Sequence, residues 1–112
     1  RKAAPLLEAL CIKGISVQEV DDEFYERADA HIHLSNDQIN EKATRGKVSA
    51  SNMYATARFN AWVSACGWNN GQEMAKSKQE TLDYFVTEYR KMLEENLDDY
   101  IENFEAYMRP RE

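Results

Sequence analysis

The chain has 112 residues, 43% of them hydrophobic and 11% aromatic, with two prolines, four glycines and a net charge of −6. That content suits one domain with a modest core rather than a disordered polymer, and the scarcity of breakers favours an all-α fold. An acidic chain without a basic stripe is unsuited to nucleic acid, whose binding rests on phosphate neutralisation, and no apolar run approaches the roughly 18 residues of a membrane span.

The charge is unevenly spread: +2 over residues 1–16, −5 over 17–46, +2 over 47–72 and −5 over 73–112. Two cysteines far apart, Cys11 and Cys66, are too few for a disulfide scaffold and point to a reducing cytoplasmic compartment. The opening RKAAPLLEALCIK is basic then apolar, but Glu8 interrupts a very short run, which argues against a secretory signal.

Residues 1–20 read as an N-terminal extension ahead of a single helical domain, 21–112. Leu6, Leu7, Leu10 and Cys11 would line one face of a short helix, with Pro5 near its start and Gly14 after its end. A first long helix is expected from about Asp22 to Thr44. Asp21 is its candidate N-cap, with Val20 and Tyr25 as a hydrophobic staple. Phe24, Ala28, Ile32, Ser35, Ile39 and Ala43 form its inner stripe, and Gly46 is placed to stop it.

The central helix is the stretch Val48 to Cys66, which holds no acid in a chain of 20 acids. Met53, Ala57, Ala50, Ala61 and Tyr54 share one sector of its wheel; Phe59, Trp62, Cys66 and Val63 share another, roughly opposite. Two apolar sides predict a helix sandwiched between neighbours. Ala50, Ala57, Ala61 and Ser64 keep the first side thin. Ser49 is the expected N-cap, with Val48 and Met53 as a staple, and Gly67 suits a left-handed position past the C-terminus.

Trp68-Asn69-Asn70-Gly71 reads as a loop. The third helix is expected from near Gln72 to Met108. Its apolar positions are Leu82, Val86, Tyr89, then Leu93, Leu97, Tyr100, then Phe104 and Met108, an 11-residue repeat that imposes no left-handed supercoil. Either this helix is uninterrupted or it breaks near Asn96, with Asn96 or Asp98 capping a fourth helix.

Several of these stretches are similar to those of a known family. They are Phe24 to Ala30, Ile32-His33-Leu34 with Asn36, Val48-Ser49-Ala50, Tyr54-Ala55, Ala57 to Ala61, and Tyr89 to Leu97. Together they resemble the proteobacterial domain of unknown function three-one-four-four. The likeness covers about Asp22 to Met108 and leaves residues 1–20 outside it. It implies a small, helical, cytoplasmic bacterial protein and no activity.

Little in the chain suggests chemistry. His31 and His33 lie about 200° apart on a helix and cannot chelate one ion together. Asp29, His33 and Asp37 form a ladder whose ordinary role is a solvated face, and no Glu-x-x-His pair of a di-iron bundle is present. Cys66 near the end of an apolar helix reads as core rather than nucleophile, and Gly67 and Gly71 form no phosphate loop. No catalytic residue, metal site or cofactor is assigned.

Arg58 stands in an acid-free helix. It is expected to pair with a carboxylate of the first or third helix, or, with His31 and Asn60, to line a ligand pocket between helices. Glu94, Glu95, Asp98, Asp99, Glu102 and Glu105 form an acidic run without a base. That run is either a solubilising face or a docking surface for a basic protein partner.

The expected architecture is an all-α bundle of three main helices, with a fourth if the third breaks near Asn96. The expected function is a non-enzymatic interaction or assembly module; the alternative is a small-ligand or metal-binding protein, an enzyme included, with its pocket around Arg58. The third helix would be about 55 Å long, against about 34 and 27 Å for the other two. Leu97, Tyr100, Ile101, Phe104 and Met108 would therefore extend past any cover and form a homodimer interface. Neither a nucleic acid nor a membrane is expected as a partner.

Overall fold

In the computed structural model, which describes residues 21–109, the first helix is announced by Asp21. Its carboxylate accepts from the Glu23 backbone N–H at 2.9 Å and is held by the Arg27 guanidinium at 3.1 Å. The Arg27 hydrogen bond, and then the Glu23 N–H, keep the Asp21 carboxyl below its ordinary range. The N-cap position itself falls on Glu23, which makes no side-chain cap bond. Val20, the other half of the expected staple, lies outside the described residues, as does the expected N-terminal helix.

Helix α1 (Phe24–Gln38) is shorter than expected. Asn40 stops what Gly46 was expected to stop. Its side-chain oxygen accepts from the backbone N–H groups of Lys42 and Ala43, both at 2.8 Å, and its own N–H donates to the Ala43 carbonyl at 2.9 Å. This Asx turn takes the chain out of α1 and into the next helix. Helix α2 (Arg45–Ala65) therefore starts ahead of Ser49, with Thr44 at the N-cap, and Gly46 lies inside it. At its far end the N–H groups of Gly67 and Trp68 donate to Ser64 and Ala65 at 3.0 and 3.1 Å. Gly67 does not take the left-handed conformation expected of it.

The expected third helix is present as three consecutive pieces. Helix α3 (Gly71–Lys76) is capped by Asn70, whose side chain accepts from the Glu73 N–H at 2.9 Å, while Glu73 reaches back to the Asn69 N–H at 3.0 Å. A bend at Ser77 leads into α4 (Lys78–Glu102), where the Thr81 hydroxyl donates to the Ser77 carbonyl at 2.8 Å. Asn96 does not break α4. Its amide donates to the Met92 carbonyl at 2.7 Å from within the helix. The interruption comes at Asn103, before α5 (Phe104–Met108), and there the i→i−4 backbone bonds carry on. No strand occurs among the described residues.

The close packing of long helices is α1 against α2, joined by the Asn52 amide donating to the Ser35 hydroxyl at 2.8 Å. Helix α4 approaches neither as closely. The radius of gyration is 17.2 Å, with extents of 59 × 32 × 24 Å, against about 13 Å for a compact domain of this length. Among the described residues only Val48 and Ser64 are buried. The central helix is thus not sandwiched within one chain: Met53 on one side and Phe59 and Trp62 on the other are each more than half exposed. Two helices of 15 and 21 residues present too little surface to cover a third of 25.

Ser64, 1% exposed, is the tightest point of the fold, where a small side chain permits close approach. Ser64→Leu should overpack it and cost about 1–3 kcal/mol, read as a lower denaturant midpoint with an unchanged slope.

Candidate functional site: an open apolar groove

Three helices leave a groove between them instead of a core. Ile32 and Ser35 come from α1 and Ile39 from its C-cap, the thin Met53/Ala57/Ala61 side of α2 forms one wall, and Leu82, Phe85, Val86 and Tyr89 of α4 form the other. Its volume is about 930 Å³ and it is open to solvent. The small residues of α2 that were expected to let a neighbour approach closely are the reason that this wall is shallow.

A polar thread runs along the apolar floor. Thr56 donates to the Asn52 side-chain oxygen at 3.4 Å, and Asn52 donates to Ser35. Arg45 stands at the rim, and no carboxylate, histidine, cysteine or lysine lines the groove. Its walls are mainly apolar, with the polar groups of Ser35, Asn52, Thr56 and Asn60 set among them.

The groove runs on along α4. A second, shallower depression shares Val86 and Tyr89 with it and continues over Leu93 and Leu97 to Ile101. Leu97, Tyr100, Ile101, Phe104 and Met108 are between 49% and 72% exposed. At the end of this strip the Tyr107 hydroxyl donates to the Asp99 carboxylate at 3.2 Å, and its ring packs edge-on against Tyr100 at 4.9 Å. The Asp99 hydrogen bond raises the Tyr107 phenol above its ordinary range.

The candidate ligand-binding residues are not brought together. Asn60 lines the groove and is half-buried; Arg58 and His31 are exposed and do not line it. Arg58 makes no ion pair with any described residue, so the pairing expected with a carboxylate of the first or third helix is overturned. The physical reason is the open packing: an exposed guanidinium keeps its hydration and needs no carboxylate. No group of three or more His, Cys, Asp or Glu able to hold a metal occurs among the described residues. Leu82, Val86 and Tyr89 are exposed residues that their periodicity marks as core, because periodicity reports an apolar face without saying which chain covers it; Phe85, more buried than these, lines the groove without belonging to that stripe. The outer side of α2 carries a second apolar feature, the Phe59 and Trp62 rings 5.6 Å apart.

The family described as "Protein of unknown function (DUF3144)" matches residues 24–101. The NMR structure of the protein NB7890A from Shewanella sp is 40% identical to this chain, with a TM-score of 0.68 over 83% of this chain and 98% of that one. No curated protein matches the chain.

Two outcomes follow from the geometry. Arg58→Ala should leave stability within about 0.5 kcal/mol of the parent, as befits an exposed, unpaired side chain, by denaturant titration. The contribution of Tyr107 to holding α5 is present below the ordinary phenol pKa of about 10 and is lost as pH rises through its raised value in the folded chain. A spectrophotometric tyrosinate titration of the parent should therefore show one late-titrating tyrosine that is missing from Tyr107→Phe.

Proposed function

The chain belongs to the DUF3144 family of proteins of unknown function, and from that premise we propose that it is a non-enzymatic helical assembly module that works as a homodimer in the bacterial cytoplasm. One observation carries this reading: an apolar strip on α4 and α5, from Leu82 to Met108, that no other described residue covers. Monomers rarely leave so long a patch bare. A second copy presenting the same strip would cover it by an isologous contact, the commonest way in which identical chains associate.

The groove adds support, since it offers apolar wall and no catalytic group. The cytoplasmic part rests on the small number of cysteines, and no helix among the described residues is long and apolar enough to cross a membrane. Glu94, Glu95, Asp98, Asp99 and Glu102 flank the strip, and their exposed carboxylates would favour a basic surface opposite them. A ligand pocket built on Arg58, His31 and Asn60 takes no support from side chains that face apart.

Sedimentation equilibrium at tens of micromolar tests the reading. The intact chain should be a dimer. Phe104→Glu, which places a charge in the strip at a position already 56% exposed, should raise the dissociation constant at least thirtyfold, equivalent to a hot-spot loss of about 2 kcal/mol. An intact chain that sediments as a monomer would refute it.

A further inference from the structure

The apolar strip of α4, carried on to the first residue of α5, has a symmetry of its own. Its positions are Leu82, Val86, Tyr89, Leu93, Leu97, Tyr100 and Phe104, spaced four, three, four, four, three and four residues apart. The order of the intervals is the same read from either end, with Leu93 at the centre. Two antiparallel copies related by a twofold axis at Leu93 would thus bring Leu82 level with Phe104, Val86 with Tyr100, and Tyr89 with Leu97. Only Met108 falls outside the scheme, since its mirror position is Lys78.

We propose that α4 pairs with a second copy of itself, antiparallel and centred on Leu93, so that the Leu97–Phe104 half of one copy fills the α1–α2–α4 groove of the other. This rests on the homodimer reading and specifies its register and its seat. The groove sits beside the first half of α4, along Leu82, Phe85, Val86 and Tyr89, and these are the positions that the pairing places opposite the partner's second half. The thin wall of Ala57 and Ala61 leaves room there for a further helix, whose axis needs to come within about 8–10 Å of its neighbours.

Charge selects the same arrangement. The second half of α4, with α5, carries six acids from Glu94 to Glu105 and no base, whereas α2 carries Arg45, Lys47 and Arg58 and no acid. A parallel pairing would set the two acidic halves side by side. The antiparallel one separates them and places each beside the acid-free helix of the other copy, where opposite potentials meet. Arg58, exposed and in no ion pair with a described residue, and the groove residue Arg45 are then available to those carboxylates.

Spin labels on the outer side of α4 read the register directly. Glu80→Cys, Lys91→Cys and Glu102→Cys, each in the full chain carrying Cys11→Ser and Cys66→Ser, place one label per copy at exposed positions. At 1.5 Å per residue, a centre at Leu93 separates paired labels along the axis by about 39, 6 and 27 Å respectively. Pulsed dipolar spectroscopy should give the shortest distance at Lys91→Cys, a longer one at Glu102→Cys and the longest at Glu80→Cys. Equal distances at all three positions, or a minimum elsewhere, would overturn the register while leaving a homodimer standing. No dipolar coupling in any variant would mean a monomer, its groove filled by residues 1–20 or by a different partner, and would overturn both.

Discussion

A helix cannot fold back on itself, and that constraint governs this chain. Helices α3 to α5 run from Gly71 to Met108 with two bends, and neither bend interrupts the backbone hydrogen bonding enough to return the chain. Among the described residues only α1 and α2 are left to cover them, and these pack on each other. Burial stabilises at roughly 25 cal/mol per Å² of apolar surface, so a strip of exposed Leu, Val, Tyr, Phe and Met is stabilisation that the single chain does not collect. The open groove, the large radius of gyration and the burial of only two of the described residues are three consequences of the same mismatch in length.

Much of the architecture is legible in the sequence because local chemistry decides it. The turn residues Trp68 to Gly71 place the start of the third helix near Gln72, and the four-three-four spacing from Leu82 marks one continuous face of α4. The errors have local causes too. Gly46 looks like a stop, but the Asn40 side chain satisfies two backbone N–H groups and ends α1 earlier. Asn96 and Asn103 donate to the carbonyl four residues back in the same way, and only the second interrupts the helix. What sets Asn103 apart is Tyr107, whose hydroxyl reaches Asp99 across the break. That contact joins residues eight apart and carries no periodic signal.

The candidate site was legible as chemistry but not as place. An apolar face on a helical wheel is the same whether its own chain or another covers it. Met53, Ala57 and Ala61 therefore read as core, and Arg58 as a charge in need of a partner within the fold. Both readings assume that the chain is its own environment. With Met53 57% exposed, that assumption fails, and the requirement for a carboxylate beside Arg58 fails with it. His31 and Asn60 separate for a simpler reason: they belong to different helices, and at about 100° per residue a shift of one or two positions decides whether a side chain enters the groove or solvent.

The distribution of charge gains meaning once the groove is open. Acidic residues excluded from α2 and concentrated after Glu94 do little for a monomer, in which a solvated carboxylate is indifferent to which helix carries it. Six acids near a helix C-terminus also oppose the helix dipole, a cost of a few tenths of a kcal/mol or more for each acid in the last turn. A chain that accepts this while keeping its central helix free of acids has segregated its charge between two surfaces. Surfaces segregated in this way repel their like and attract each other. In a twofold pair the complementary contact would form twice, once for each copy, so the arrangement that covers the most apolar surface is also the one that the charges favour.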